Sequence, residues 1–378
     1  MEKFTTIFNR SLLTAIIVCI LSISAANAMD IADEDITTAI EADLFADSQL
    51  PVNKIDIETN EGIVKLSGTV DNILAKDRTE KIAESIVGVR SIVNLIEVDP
   101  PAHITDINIK KDVEQALIFD PATNSDDIEI EVEVDQGIVT LSGTASSWQQ
   151  KRLCSTVAKG VKGVTEIVNN IKIEYGIERS DDQIKDEIQA MLSNDIKVDD
   201  AMIYIEVEDG NVMLKGSVGS LAEKNSARML SWVSGVENVN TDHLEIKWWA
   251  RDSMRRKKMY ISRSDDEIEK AVTDAIMYDP RVNYFDINID VKFGKVILSG
   301  VVDNLKAKKA AEWDAKNTIG VSIVNNNIRI RFAEDVSDDN LTSAITENFK
   351  SDPYLERFDI EVIVIGGKVY LYGDVNTS

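Results

Sequence analysis

Between residues 32 and 378 the apolar positions switch repeatedly between two periods. Spacings of three to four, as at Ile109, Val113 and Leu117 or at Ile268, Val272 and Ile276, predict amphipathic helices. Strict alternation predicts strands with one buried and one wet face, as at Ile128, Ile130, Val132 and Val134 or at Phe285, Ile287, Ile289 and Val291. A glycine turn (Asp135-Gln136-Gly137, Glu208-Asp209-Gly210) leads straight into a second strand, which predicts an antiparallel hairpin. A second helix follows, for example Asn72 to Val87. A last strand then carries Ile92, Asn94 and Ile96, or Ile167, Asn169 and Ile171, or Ile323 and Asn325. The predicted unit is helix–strand–strand–helix–strand, αββαβ, in the α+β class. Its economical packing puts both helices on one face of a three-stranded mixed sheet.

The unit recurs. Gly-x-Val-x-Leu-x-Gly segments place their second glycine at Gly68, Gly143, Gly216, Gly300 and Gly373, at intervals of 75, 73, 84 and 73 residues. In the hairpin strand these glycines imply a close backbone approach or an unusual dihedral angle. A second set, Gly88, Gly163, Gly235 and Gly320, is expected at the left-handed end of the second helix. Ser180, Ser264 and Ser337, each followed by two aspartates, read as helix N-caps, with Gln183 and Glu267 as capping-box partners. Asp120-Pro121, Asp279-Pro280 and Asp352-Pro353 read as helix breaks.

These patterns divide the chain into units over 32–99, 104–175, 180–248 and 264–332, with a fifth over 336–378 that stops after its second strand. Half a unit cannot cover its own core. Either the chain is a piece of a longer one, which we favour, or the half-unit packs on a neighbour. Residues 1–28 read as a cleaved secretory signal. Lys3 and Arg10 precede an apolar stretch centred on Ile16 to Leu21, and Ala26-Asn27-Ala28 supplies small residues for cleavage. The stretch is short for a membrane span.

Composition narrows function further. The net charge is −25, and removal of the signal makes it one unit more negative. Such a surface disfavours nucleic acid and anionic lipid. The exception is the stretch 249–263 between the third and fourth units, a basic linker that accounts for the long interval. Trp249, Arg255, Arg256, Lys257, Lys258 and Tyr260 make it the expected contact with an anionic surface. Its alternative role is a clamp between units three and four. Trp248, like Tyr175 and Phe332, is expected to continue a buried strand face.

No catalytic set, metal site or cofactor motif is expected. His103 and His243 lie in non-equivalent places without metal-spaced partners. Cys154, the one cysteine past the signal, reads as a small core residue opposite Thr79. The row Glu129, Glu131 and Glu133 reads as a solvated strand face rather than a calcium loop.

The Gly-x-Val-x-Leu-x-Gly strand and the Gly-Val-x-x-[Ile/Val]-x-Asn tail resemble the BON domain, and the likeness covers most of residues 32–378. The resemblance implies a periplasmic, stress-linked, non-enzymatic protein that binds an envelope component, phospholipid being the usual ligand proposed for the family. A chaperone-like or scaffolding role toward other envelope proteins is the second expectation.

Overall fold

The computed structural model describes residues 31–47, 50–101, 103–120, 122–123, 129–176, 178–247, 250, 263–279, 281–282, 287–331 and 337–375. The expected signal segment, Trp248, Phe332 and the six expected surface-contact residues of the basic linker lie outside the described residues.

The first unit comprises α1 (Asp33–Ala46), the hairpin β1 (Ile55–Asn60) and β2 (Ile63–Val70), α2 (Ile73–Ser85), and a last strand in two pieces, β3 (Ser91–Asn94) and β4 (Glu97–Val98). The second unit repeats it with α3 (Asp106–Phe119), β5 (Glu129–Asp135), β6 (Ile138–Ala145), α4 (Trp148–Lys159), β7 (Glu166–Asn169) and β8 (Lys172–Ile173). The third has α5 (Asp181–Asn194), β9 (Ile203–Glu208), β10 (Asn211–Val218), α6 (Leu221–Leu230), β11 (Asn238–Asn240) and β12 (Leu244–Ile246). The fourth has α7 (Asp265–Met277), β13 (Ile287–Lys292), β14 (Lys295–Val302), α8 (Leu305–Lys316), β15 (Ile323–Asn326) and β16 (Arg329–Ile330). The fifth consists of α9 (Asp338–Ser351) and the hairpin β17 (Glu361–Ile365) and β18 (Lys368–Tyr372).

In every complete unit the central hairpin strand pairs antiparallel with the first strand and parallel with the last. The mixed sheet thus follows from a tight turn on one side and a helical crossover on the other. Each complete unit has its own apolar cluster, drawn from both helices and the inner sheet face. Helix starts follow the expected chemistry. Ser180 with Gln183 and Ser264 with Glu267 form complete capping boxes.

Asparagine explains why the last strand is broken. The Asn94 and Asn169 carboxamide oxygens accept the N–H two residues on, at 3.2 and 3.1 Å, bending the strand at that point. In the fourth unit Asn326 does this, accepting from Ile328 at 3.2 Å, so the expected register around Asn325 is corrected by one residue. The parallel pairing decides it: Lys295 faces Ile323, as Ile63 faces Ser91, so Ile323 points outward and Val324 packs on the core. A one-residue shift exchanges the two faces of a strand.

The second glycine set is also corrected. Gly163 lies beyond the end of α4, whose C-cap is Gly160, in the turn that enters β7. Its φ is +88°, and a Cβ there would meet Ile109 Cδ1 of α3 at 3.0 Å. Gly88, Gly235 and Gly320 likewise have positive φ and face Ile36, Ile184 and Ile268. The glycine lets the strand entry press on the first helix rather than ending the second.

The units also dock on one another through their helices. Helix α2 meets α6, and α5 meets α7. Lys159 bridges to Asp77 at 2.7 Å, Lys306 to Asp120 at 2.8 Å, and Asn225 donates to Glu84 at 2.8 Å. Backbone bonds join units three and four, Ile196 N–H to Asn317 O at 3.0 Å and Ile319 N–H to Asn194 O at 2.9 Å. Lys162 N–H donates to Ser351 O at 2.9 Å, tying unit five to unit two.

Candidate binding surfaces

The hairpin glycines marked by the sequence permit close backbone packing within each unit. At Gly143 φ is +121°, and an added Cβ would sit 1.8 Å from the Glu129 carbonyl oxygen, so both the dihedral and the space require glycine. Gly68 and Gly216 meet the same obstacle at 2.0 and 1.9 Å, and Gly373 at 2.5 Å. Gly300 shares the positive φ, at +123°.

A second recurrent feature was hidden in the sequence. The first aspartate of each leading helix, Asp33, Asp106, Asp181, Asp265 and Asp338, accepts both backbone N–H groups of its own hairpin turn. All ten distances lie between 2.7 and 3.0 Å. Such charge-assisted bonds are stronger than neutral ones. From sequence, three of these acids, Asp181, Asp265 and Asp338, stand out only as followers of the N-cap serines. The available signal was their fixed offset, with the two turn residues 28 and 29 positions later in four of the five units.

Helices of neighbouring units meet in places, and the outer sheet faces stay open. Glu129, Glu131 and Glu133 stand exposed along β5, as the alternation predicts. Apolar residues join them elsewhere: Ile63, Val93 and Leu95 on the first sheet are 45%, 43% and 54% exposed. Among the described residues no group of three or more His, Cys, Asp or Glu is placed to hold a metal ion, and no helix is long and apolar enough to cross a membrane. Cys154 and Thr79 are both fully buried, and burial pushes the Cys154 thiol up to about 11, which keeps it protonated and unreactive. His103 and His243 are exposed.

Tyr175, expected to face its own core, instead reaches across. It is half-buried, and its hydroxyl donates to Val236 O of the third unit at 2.7 Å; burial and then Glu237 push its pKa up to about 12. Beside it the Trp148 and Trp232 rings stack with centroids 5.2 Å apart, and the Gln149 carboxamide donates to Trp232 O at 2.8 Å. Arg263, the last residue of the basic linker, donates to Ser193 O at 2.8 Å and to the Asn194 side chain, at the C-terminus of α5. Cations are favoured at that end of a helix.

Where the second, third and fourth units meet lies a cavity of about 490 Å3, open to solvent on one side and lined by Trp148, Met191, Met229, Tyr278 and Trp313 among others. Asp314 lies on its wall. Burial, and then the charge of Asp279, push this carboxyl up to about 9, so it stays protonated beside the Asp279–Arg281 pair.

Comparison with known proteins gives consistent matches. The BON domain model fits residues 32–100, 105–175, 180–247, 264–331 and 337–378. Osmotically-inducible protein Y of Escherichia coli (strain K12) is 44% identical over 62 residues, which cover 16% of this chain and 31% of that protein. Outer membrane lipoprotein DolP of Haemophilus influenzae is 32% identical over 124 residues, 30% of this chain and 62% of that protein. The aligned segments therefore span less than two thirds of either relative. Among solved structures, CdsD, a structural protein of the type III secretion system of Chlamydia trachomatis, aligns over 56% of this chain and 91% of its own at 16% identity, with a TM-score of 0.16.

Proposed function

This chain belongs to the BON domain family, and from that premise we propose that it is an exported, non-enzymatic protein of the cell envelope whose docked units present binding surfaces to an envelope component. The observation that carries this reading is the orientation of the units. Helices of neighbouring units contact each other, and the outer faces of the sheets stay exposed, as along β5. The names of two relatives, one osmotically inducible and one an outer membrane lipoprotein, support an envelope role under osmotic or envelope stress.

In this proposal the signal is cleaved after Ala28 and the protein works in the periplasm. The unit boundaries are those read from the sequence, with 249–263 as a separate basic linker. An acidic surface repels anionic headgroups, so any contact with phospholipid runs through Trp249, Arg255, Arg256, Lys257, Lys258 and Tyr260. Arg263 supports a second duty for the linker, since this last basic residue already grips α5.

Co-sedimentation with anionic and zwitterionic vesicles tests the lipid reading. Binding to the anionic vesicles that disappears when Arg255, Arg256, Lys257 and Lys258 become glutamine supports it. No binding by the parent protein rejects it. The exposed Ile63, Val93 and Leu95 favour a second reading, a scaffold for protein partners. Capture of defined unfolded envelope proteins, lost on Val93→Glu with Leu95→Glu, would favour that reading.

A further inference from the structure

The cavity between the second, third and fourth units has the size of a small-molecule site, typically about 300–1,000 Å3. Its wall combines the Trp148, Tyr278 and Trp313 rings with two methionine side chains, surfaces suited to a flat apolar body.

Its charges are unequal. Asp274 pairs with Lys270 at 2.8 Å, and Asp279 pairs with Arg281. Burial disfavours the charged form of Asp314 beside that pair. Asp195 accepts the backbone N–H of Lys197 at 2.6 Å, while the Lys197 ammonium lies 5.5 Å over the Trp313 ring. Arg152 differs from all of these. It stands at the mouth with its guanidinium 5.6 Å from the Trp148 ring centroid, and no carboxylate among the described residues pairs with it. The charges that act on it are those of Arg228 and Arg281, both positive. In a chain of net −25, three guanidinium groups thus gather beside the flat rings, and of these Arg281 is already paired with Asp279. An arginine that contacts a ring face keeps its N–H edges free to bind an anion in bidentate fashion.

We infer that this cavity binds a small organic anion with a flat aromatic or conjugated body. Arg152, held against Trp148, takes the anionic group, and the Trp313 ring with the Met191 and Met229 side chains takes the flat body. The site exists only in the docked protein, because each of the three units supplies part of its wall.

Calorimetry on the intact chain with naphthoate, and with neutral naphthamide as the control, tests this. Naphthoate should bind at one site per chain, at least about tenfold more tightly than naphthamide, as expected for a hydrogen bond to a charged group. Arg152→Gln should bring naphthoate down to the naphthamide level without moving the melting temperature. Trp313→Leu should weaken both ligands alike. If Arg152→Gln unfolds early, Arg152→Lys decides: a retained preference for naphthoate supports the site, and equal binding of the two ligands overturns it. Absence of naphthoate binding at millimolar concentration, or unchanged affinity in Arg152→Gln, also overturns it.

Discussion

The second and fifth units contain the same hairpin in very different surroundings. In the second, Val139 and Leu141 of the central strand are fully buried, whereas the equivalent Val369 and Leu371 of the fifth are 45% and 54% exposed. Yet the local geometry is shared. Asp338 accepts from Gly366 and Gly367 as Asp106 does from Gln136 and Gly137, and both turns have two residues of positive φ. Helix and hairpin therefore find each other through a local clamp, while burial of the central strand depends on the second helix and the last strand.

The largest expected effect breaks this comparison outright. Leu141→Asp buries a charge in the second unit and should cost about 4 kcal/mol or more, enough to unfold that unit. Leu371→Asp should stay within about 0.5 kcal/mol, as an exposed substitution does. Urea titration read by hydrogen exchange over each unit checks both. Similar losses at the two sites would mean that the fifth unit is covered in solution.

Next comes Gly143→Val. The new side chain meets a backbone carbonyl and a forbidden dihedral angle together, so about 3 kcal/mol or more is expected. Gly163→Val should cost about 1–3 kcal/mol, because part of its obstacle is the movable end of Ile109. Melting curves of the two variants should separate in that order.

The clamp gives a smaller effect. Asp106→Ala removes two hydrogen bonds to a hairpin turn and should cost about 1–2 kcal/mol. Faster exchange of the Gln136 and Gly137 amides locates the loss. Asp338→Ala should free the Gly366 and Gly367 amides with little change in global stability.

The smallest effect is a pH dependence. The Gly294 N–H, and then that of Phe293, hold the Asp265 carboxyl below the usual aspartate range. A depressed folded value means the stabilisation is complete above the unfolded value, about 3.9, and is lost as pH falls through the folded one. The denaturation midpoint of the fourth unit should therefore decline below about pH 4, and less steeply in Asp265→Asn. Equal slopes would remove the clamp from the acid response.

Much of this was legible because it is local. Hydrophobic period placed the helices and strands, the Ser-Asp-Asp segments located caps, and five repeats of one glycine spacing marked the tight hairpins. The misreadings differ in kind. Of the adjacent Asn325 and Asn326, the offset of six residues from Gly320, matching Gly88 to Asn94, already points to the second, and the parallel register against β14 agrees. Gly163 resembles a helix terminator in sequence, but its constraint comes from Ile109, far back in the chain.

The sequence by itself determined the number of units, their order of elements and which face of the hairpin strands is apolar, since these follow from periods of two and of three to four residues. Tertiary structure alone decided how the units dock. Trp148, Tyr175 and Arg152 carry no periodic signal that names their partners in other units. Their stacking and hydrogen bonds, and the cavity that Trp148 and Arg152 border, arise from contacts tens of residues apart, where no local rule fixes the pairing.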